Sequence, residues 1–370
     1  MVPNSEASPA QQVRPMPTSP TSLLDRLGLT VPVIQAPMAG VSTPEMAAAV
    51  SEGGGLGSVA VGATDADAAR AMIAAVRALT GRAFNVNLFV HATPKPDAAR
   101  EAAWLEAMRP LFVAYGATPP ASLRTIYKSF ADDDDMLEAL VEAAPPVVSF
   151  HFGLPGARCV AALKGAGCVL IASATSLDEA LAAEAAGMDA VVAQGYEAGG
   201  HRGVFDPDAI DDQLGVLALT RLLAAKAGLP VIAAGGIMDG RGVRAALDLG
   251  AVAAQLGTAF IACPESSADA GYRAALNSEA ANHTTMTRAV SGRPARCLRN
   301  RFTAWGEGVA APVPDYPIAY DAGKALNAAA KAAGEAGFGA QWAGQGAPLA
   351  RALPAGELMA TLTRELAQAG

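Results

Sequence analysis

The sequence predicts an α/β fold, a (β/α)8 barrel with a small inserted lid, and three observations carry that expectation. From residue 31 onward, short β-rich runs alternate with alanine-rich segments at helical spacing, the pattern of parallel strands joined by crossover helices. Eight such runs occur. Two of the intervening stretches are longer than one crossover helix requires, which leaves material for a second, smaller body.

In chain order the runs are "VPVIQAP" (31–37), "LGSVAVG" (56–62), "FNVNLFV" (84–90), "VVSFHF" (147–152), "CVLIASA" (168–174), "DAVVAQG" (189–195), "PVIAAGG" (230–236) and "AVAAQLG" (251–257). Helix starts are marked by Ser42 to Pro44, Ser176 and Asp239, and two of these helices stop at Gly187 and Gly250. About fifty residues separate the third run from the fourth, including "AWLEAMRPLFVAYG" and the acidic "DDDD" at 132–135, which reads as a solvated helix start. Residues 265–345 are the other excess. The division expected is a tail at 1–20, a TIM barrel from 21–90, 131–265 and 346–370, and a lid from 91–130 and 266–345 that packs beside the barrel mouth.

At 370 residues and 52% hydrophobic, the chain can bury a large core, which excludes a disordered or fibrous protein. The net charge is −8 and the 27 basic residues are scattered, so nothing marks a nucleic-acid partner. Cys159, Cys168, Cys263 and Cys297 form no CxxC pair and read as plain thiols, with neither a disulfide framework nor a zinc site. The Pro-, Ser- and Gln-rich start lacks a secretory core, and no apolar run reaches membrane-spanning length; the expected location is cytoplasmic.

A barrel of this kind carries its site where the strands end, so the residues at those positions are the candidates. The first run ends at Pro37, Met38, Ala39 and Gly40; the third carries Asn85 and Asn87, the fourth ends on His151, the fifth offers Ser173 and Thr175, and the sixth Gln194. The seventh ends at Gly235 and Gly236 and the eighth at Gln255, Gly257 and Thr258. Two glycine-rich turns at adjacent strand ends suit a phosphate, because backbone amides can approach its oxygens; plain turn chemistry is the alternative. Asn87 and Gln194 carry amides that both donate and accept, which suits the alternating edge of a planar heterocycle. On one face with a phosphate site, they favour flavin mononucleotide (FMN).

At this point the motifs become specific. "QAPMAGVSTPEMAAAVSEGGGLG" (35–57), "FNVNLF" (84–89), "SFHFG" (149–153), "AQGYEAGGHRG" (193–203), "PVIAAGGI" (230–237), "QLGTAF" (255–260) and "WAGQGAPLAR" (342–351) resemble the nitronate monooxygenases, formerly called 2-nitropropane dioxygenases. Through them the chain is similar to the flavin-dependent enoyl-acyl carrier protein reductases. The resemblance implies that Met38 and its neighbours Ala36 and Pro37 line the flavin. It implies flavin or phosphate contacts from Asn87, Gln194, Gly199, Gly235, Gly236 and the turn Gln255, Leu256, Gly257 and Thr258. It also implies that His151 is the catalytic base. Residues 91–146 and 265–340 match no motif of the family.

Only four histidines occur. Strand alternation directs His151 opposite to Phe150 and Phe152, where a partly desolvated imidazole suits proton removal from a carbon acid. His201, in a loop after the sixth run, anchors that loop or touches substrate; His91 reads as a capping residue, with a place facing the cavity as the alternative, and His283 as a solvated lid residue. No lysine falls on a strand end for a Schiff base, and no second ligand joins His151 for a metal. The activity expected is FMN-dependent oxidation of alkyl nitronates by O2, giving carbonyl compounds and nitrite. The alternatives are an FMN-dependent enoyl-thioester reductase drawing on NAD(P)H and a non-catalytic flavin-binding barrel.

Overall fold

The computed structural model describes residues 21–370, and the tail expected over 1–20 lies outside the described residues. The first strands are β1 (Val33–Gln35), β2 (Gly57–Ala60), β3 (Phe84–Phe89), β4 (Val147–His151), β5 (Val169–Ala174) and β6 (Ala190–Gln194). A two-residue strand, β7 (Gly200–His201), precedes β8 (Val231–Ala234) and β9 (Ala253–Leu256), and β10 (Thr284–Thr287) and β11 (Ala295–Leu298) come last. Eight of these form one parallel sheet in the order β1-β9-β8-β6-β5-β4-β3-β2, and a parallel bridge between Ile34 and Leu56 closes it into a barrel. All eight runs read from the sequence are barrel strands.

Ile34, Val169, Val192 and Ile232 fill the lower barrel, and Leu23 and Leu27 of the helix Thr21–Leu27 plug it from below. Outward-facing strand residues such as Val59, Val86, Val148 and Phe150 pack beneath crossover-helix residues such as Leu140. The helices begin largely where the sequence marks them. Ser176 and Asp239 accept the N–H groups of Glu179 and Gly242, and in the first of the three Thr43, one residue past Ser42, does the capping. Asp133 caps the helix Asp134–Ala143, so the acidic run is a helix start.

Alternation holds for Phe150 and fails for Phe152. Phe150 stacks on Phe130 outside the barrel, but Phe152 has φ of 78°, and the reversal swings its ring to 4.5 Å from the His151 ring. An aromatic residue in the left-handed region costs roughly 1–3 kcal/mol, so neighbouring contacts must hold it there.

Two long connections meet above the barrel mouth. Trp104, Met108 and Phe112 of the helix Ala98–Ala114 share one apolar cluster with Phe302, Leu326 and Phe338. Full burial of each large side chain contributes roughly 1.5–3 kcal/mol, which offsets the entropy of ordering these connections. β10 and β11 form an antiparallel pair, and β11 pairs in turn with β7, with Ala295 opposite His201. His201 thus sits on a strand and not in a loop, and that strand joins the loop after β6 to the segment 284–298.

Candidate active site

A cavity of about 680 Å³ opens at the carboxyl ends of the barrel strands, beneath the upper segments. That volume lies within the range of small-molecule and cofactor sites. Ala36, Pro37, Met38, Asn87, His151 and Gln194 line it, as do Gly199, His201, Gly235, Gly236, Gln255, Gly257 and Thr258. Leu256 does not. Its side chain points outward into the cluster with Met46 and Met359, because successive residues of a strand face opposite ways and Gln255 takes the inner side. Asn85 and Thr175 are also withdrawn: Asn85 donates to Ser58 deeper in the barrel, and the Thr175 hydroxyl donates to Glu179 at 2.7 Å.

The floor after β8 and β9 is built of backbone. Gly235 and Gly236 have φ of 128° and 69°, conformations that a side chain would strain. Among the described residues, the N–H groups of Gly235, Gly236 and Gly257 donate to no protein acceptor. Main-chain donors rarely stay unpaired unless solvent or a ligand meets them, so this cluster fits an anion such as a phosphoryl group. Gly199 has a different reason to be glycine: a Cβ there would stand 2.4 Å from the Gly344 nitrogen. The stretch 193–203 and the stretch 342–351 are packed against each other, joined by Gln345 N–H donating to the Glu197 carbonyl.

The two amides differ in what they leave free. Asn87 donates to the Ser149 hydroxyl at 2.9 Å and carbonyl at 3.2 Å. Among the described residues its oxygen has no protein partner. Gln194 is engaged at both ends, donating to the His201 carbonyl at 3.0 Å and accepting from Gly203 N–H at 2.7 Å. It fixes the loop and β7.

His151 shares that task. Its Nε2 lies 3.1 Å from the His201 carbonyl, which can only accept, so Nε2 carries the proton; Nδ1 then accepts from the Ser173 hydroxyl at 2.9 Å. Neither ring nitrogen is left for a ligand. Burial lowers its pKa to about 4, and Arg293 and Arg202 lower it further against the opposing bond to His201. His201 is arranged otherwise. Ser291 donates its hydroxyl to the Arg293 carbonyl, so it accepts Nε2–H of His201 at 2.8 Å, and Nδ1 of His201 has no protein partner among the described residues. Burial, and then His151, Arg293 and His91, hold the His201 pKa well below the usual value. It presents a neutral imidazole with a free lone pair on the cavity wall.

Around it stands a set of residues that the sequence does not announce. The His201 ring lies 5.0 Å from Trp342, 5.3 Å from Tyr316 and 6.2 Å from Tyr320. Tyr127 also lines the cavity, its pKa pushed up to about 12 by burial. The ammonium of Lys324 lies 4.9 Å from the Tyr127 ring centre and 5.2 Å from that of Tyr320. Tyr320 and Lys324 are four apart on the helix Ile318–Ala332, a spacing that puts both on one face, but nothing local tells which face meets a cavity. His91 is buried against Tyr316 at 5.0 Å, and among the described residues both its nitrogens are unpartnered, so it does not cap. His283 is exposed. The four cysteines are buried and free, and among the described residues no cluster of metal-ligating side chains occurs.

The family model described as nitronate monooxygenase matches residues 21–365. The chain belongs to this family. It is 63% identical over 352 residues to a nitronate monooxygenase of Paraburkholderia phytofirmans, covering 95% of this chain and 96% of that one. The nitronate monooxygenase of Pseudomonas aeruginosa is 58% identical over 342 residues, covering 92% and 97%. Among solved structures, the nitroalkane oxidase of Streptomyces ansochromogenes superposes with a TM-score of 0.85 at 42% identity, over 94% of this chain and 98% of that one. FabK of Thermotoga maritima follows with a TM-score of 0.72 at 29% identity, over 94% and 96%. The protein is therefore an oxidoreductase of a flavin-dependent family that acts on nitronates, with the (β/α)8 barrel of its relatives. Among the described residues no helix is long and apolar enough to cross a membrane.

Proposed function

We propose that the enzyme is an FMN-dependent, cytoplasmic nitronate monooxygenase that oxidises alkyl nitronates with O2 to carbonyl compounds and nitrite. One arrangement carries the reading: a single cavity with unpaired backbone donors at Gly235, Gly236 and Gly257 on one side and the free Nδ1 of a neutral His201 on another. The three N–H groups would hold the phosphoryl group, with Met38 and Asn87 along the ring system. When bound, the flavin supplies the electron transfer between nitronate and oxygen.

We assign proton handling to His201 and not, as the sequence suggested, to His151. His151 spends both nitrogens on Ser173 and on the His201 carbonyl, so it positions β7. The depressed pKa values make each histidine a weak base, and removing a proton from a neutral nitroalkane is uphill for such a group. A nitronate is already ionised and asks for no such step. Nitronates are accordingly the better substrates, and His201 Nδ1, a lone pair with no proton to donate, serves to take a proton from a nitroalkane slowly. The segments 91–130 and 266–345 act as the lid that excludes water.

Oxygen uptake and nitrite release with an alkyl nitronate, without added NADH, test the reading. Uptake that appears only with NADH, coupled to loss of a crotonyl thioester, would replace it with the reductase.

A further inference from the structure

Arg293 is almost fully buried, and among the described residues its guanidinium forms no ion pair with any carboxylate. Its Nη2 donates to the Val204 carbonyl and its Nε has no partner. The other contact is aromatic: the guanidinium carbon lies 4.4 Å from the centre of the Phe152 ring. The nearest acids are occupied elsewhere, Asp208 with Arg288 at 2.7 Å and Asp206 with the Asp208 N–H at 2.9 Å. A buried charge without a counter-ion is expensive.

Phe152 shows how the charge is held and where it points. Its left-handed backbone puts the ring against Arg293 on one side and against His151 and His201 on others, with ring separations of 4.5 and 5.5 Å. The guanidinium is thus one ring away from the cavity wall without touching the cavity, and the ring excludes water that would screen it.

We propose that Arg293 is a fixed positive charge, in addition to the Lys324 ammonium on the cavity wall, that draws the anionic form of the substrate into this cavity. The inference rests on the proposed function for the identity of the anion, and on the geometry alone for the charge. Arg293 acts through the Phe152 plate and is a positioning residue for charge, not a group that meets the substrate. Its charge also bears on His91, His151 and His201, all of which it biases toward the neutral form, while Tyr316, Asp206 and Asp208 favour the guanidinium and Arg288 opposes it.

The test compares Arg293→Gln, which keeps a donor near the Val204 carbonyl, with Arg293→Lys, which keeps the charge. For the Gln variant, KM for an alkyl nitronate should rise roughly 10- to 100-fold, with KM for the conjugate nitroalkane and the flavin content unchanged. The acid limb of kcat/KM should move to higher pH, as His201 protonates more readily. The Lys variant should restore most of both. An unchanged nitronate KM, an equal rise for both substrates, or loss of flavin would overturn the proposal. Wild-type protein supplies a measurement independent of folding and of turnover: quenching of tryptophan fluorescence, to which Trp342 on the cavity wall contributes beside Trp104 and Trp305, by nitrate and by nitroethane. Nitrate should bind at least tenfold more tightly, and equal affinities would overturn the inference even where nitronates are turned over. If nitronates are not oxidised but nitrate is preferred by the wild type and not by Arg293→Gln, the functional reading fails and the charge assignment stands, whereas a preference that survives in Arg293→Gln overturns it.

Discussion

The floor of the cavity and its roof are built on different principles. The floor is backbone: Gly235, Gly236 and Gly257 offer N–H groups at strand ends that the barrel ladder holds rigid. The roof is side chain: Tyr127, Tyr316, Tyr320 and Trp342 surround His201 and Lys324, and they come from segments joined by packing and one short sheet. A rigid floor of donors suits a cofactor that stays, whereas an aromatic roof with one free imidazole suits a small substrate that comes and goes. His201 belongs to both parts, since its carbonyl is tied to the barrel through His151 and Gln194 while its ring faces the roof.

The sharpest way to break this comparison is to exchange the two histidines' fates. His201→Asn should lower kcat/KM for neutral nitroalkanes by about 10²- to 10⁴-fold, with flavin retained and a smaller loss on nitronates. His151→Asn should cost less on either substrate, through a displaced β7. A larger loss in His151→Asn than in His201→Asn, read by nitrite release, would return the base to β4.

Gly236→Asp probes the floor. A carboxylate facing a phosphate, on a residue forced to φ of 69°, should strip most of the flavin, measured by absorbance after gel filtration, while roof substitutions leave it bound. Full retention would move the phosphate cradle elsewhere.

The smallest effect concerns pH. His91 and His151 both have pKa values lowered to about 4, each chiefly by burial, so the unfolded chain binds protons between pH 6.5 and about 4 that the folded chain does not. Their stability contribution is whole above pH 6.5 and declines as pH falls through that window. His91→Phe keeps the ring against Tyr316 and removes two unpartnered nitrogens, so it should raise the melting temperature at pH 5 more than at pH 8. An equal change at both pH values would show that His91 is not buried neutral.

How much was legible depends on the range of the interaction. The barrel could be read from residues 31–257 because each strand carries its own apolar run and each turn its own glycine or cap. The glycine floor could be read for the same reason, since strand ends in a barrel converge by construction. The outward turn of the Leu256 side chain is hidden in a turn quoted as a string, which ignores the alternation that sends every second side chain outward. His201 was read as a loop residue because two residues of strand have no period to detect.

By itself, then, the sequence determined the barrel, its open end, the family and the glycines at the cavity floor, all of which follow from local pattern repeated around a closed sheet. The tertiary structure alone decided which histidine keeps a free nitrogen, because that turns on Ser173, Ser291 and a carbonyl contributed by distant elements. It alone decided the aromatic roof and the uncompensated charge of Arg293. Those depend on which faces of two long connections meet across the barrel mouth, and hydrophobic contact between segments far apart in the chain leaves no spacing in either one by which to foresee it.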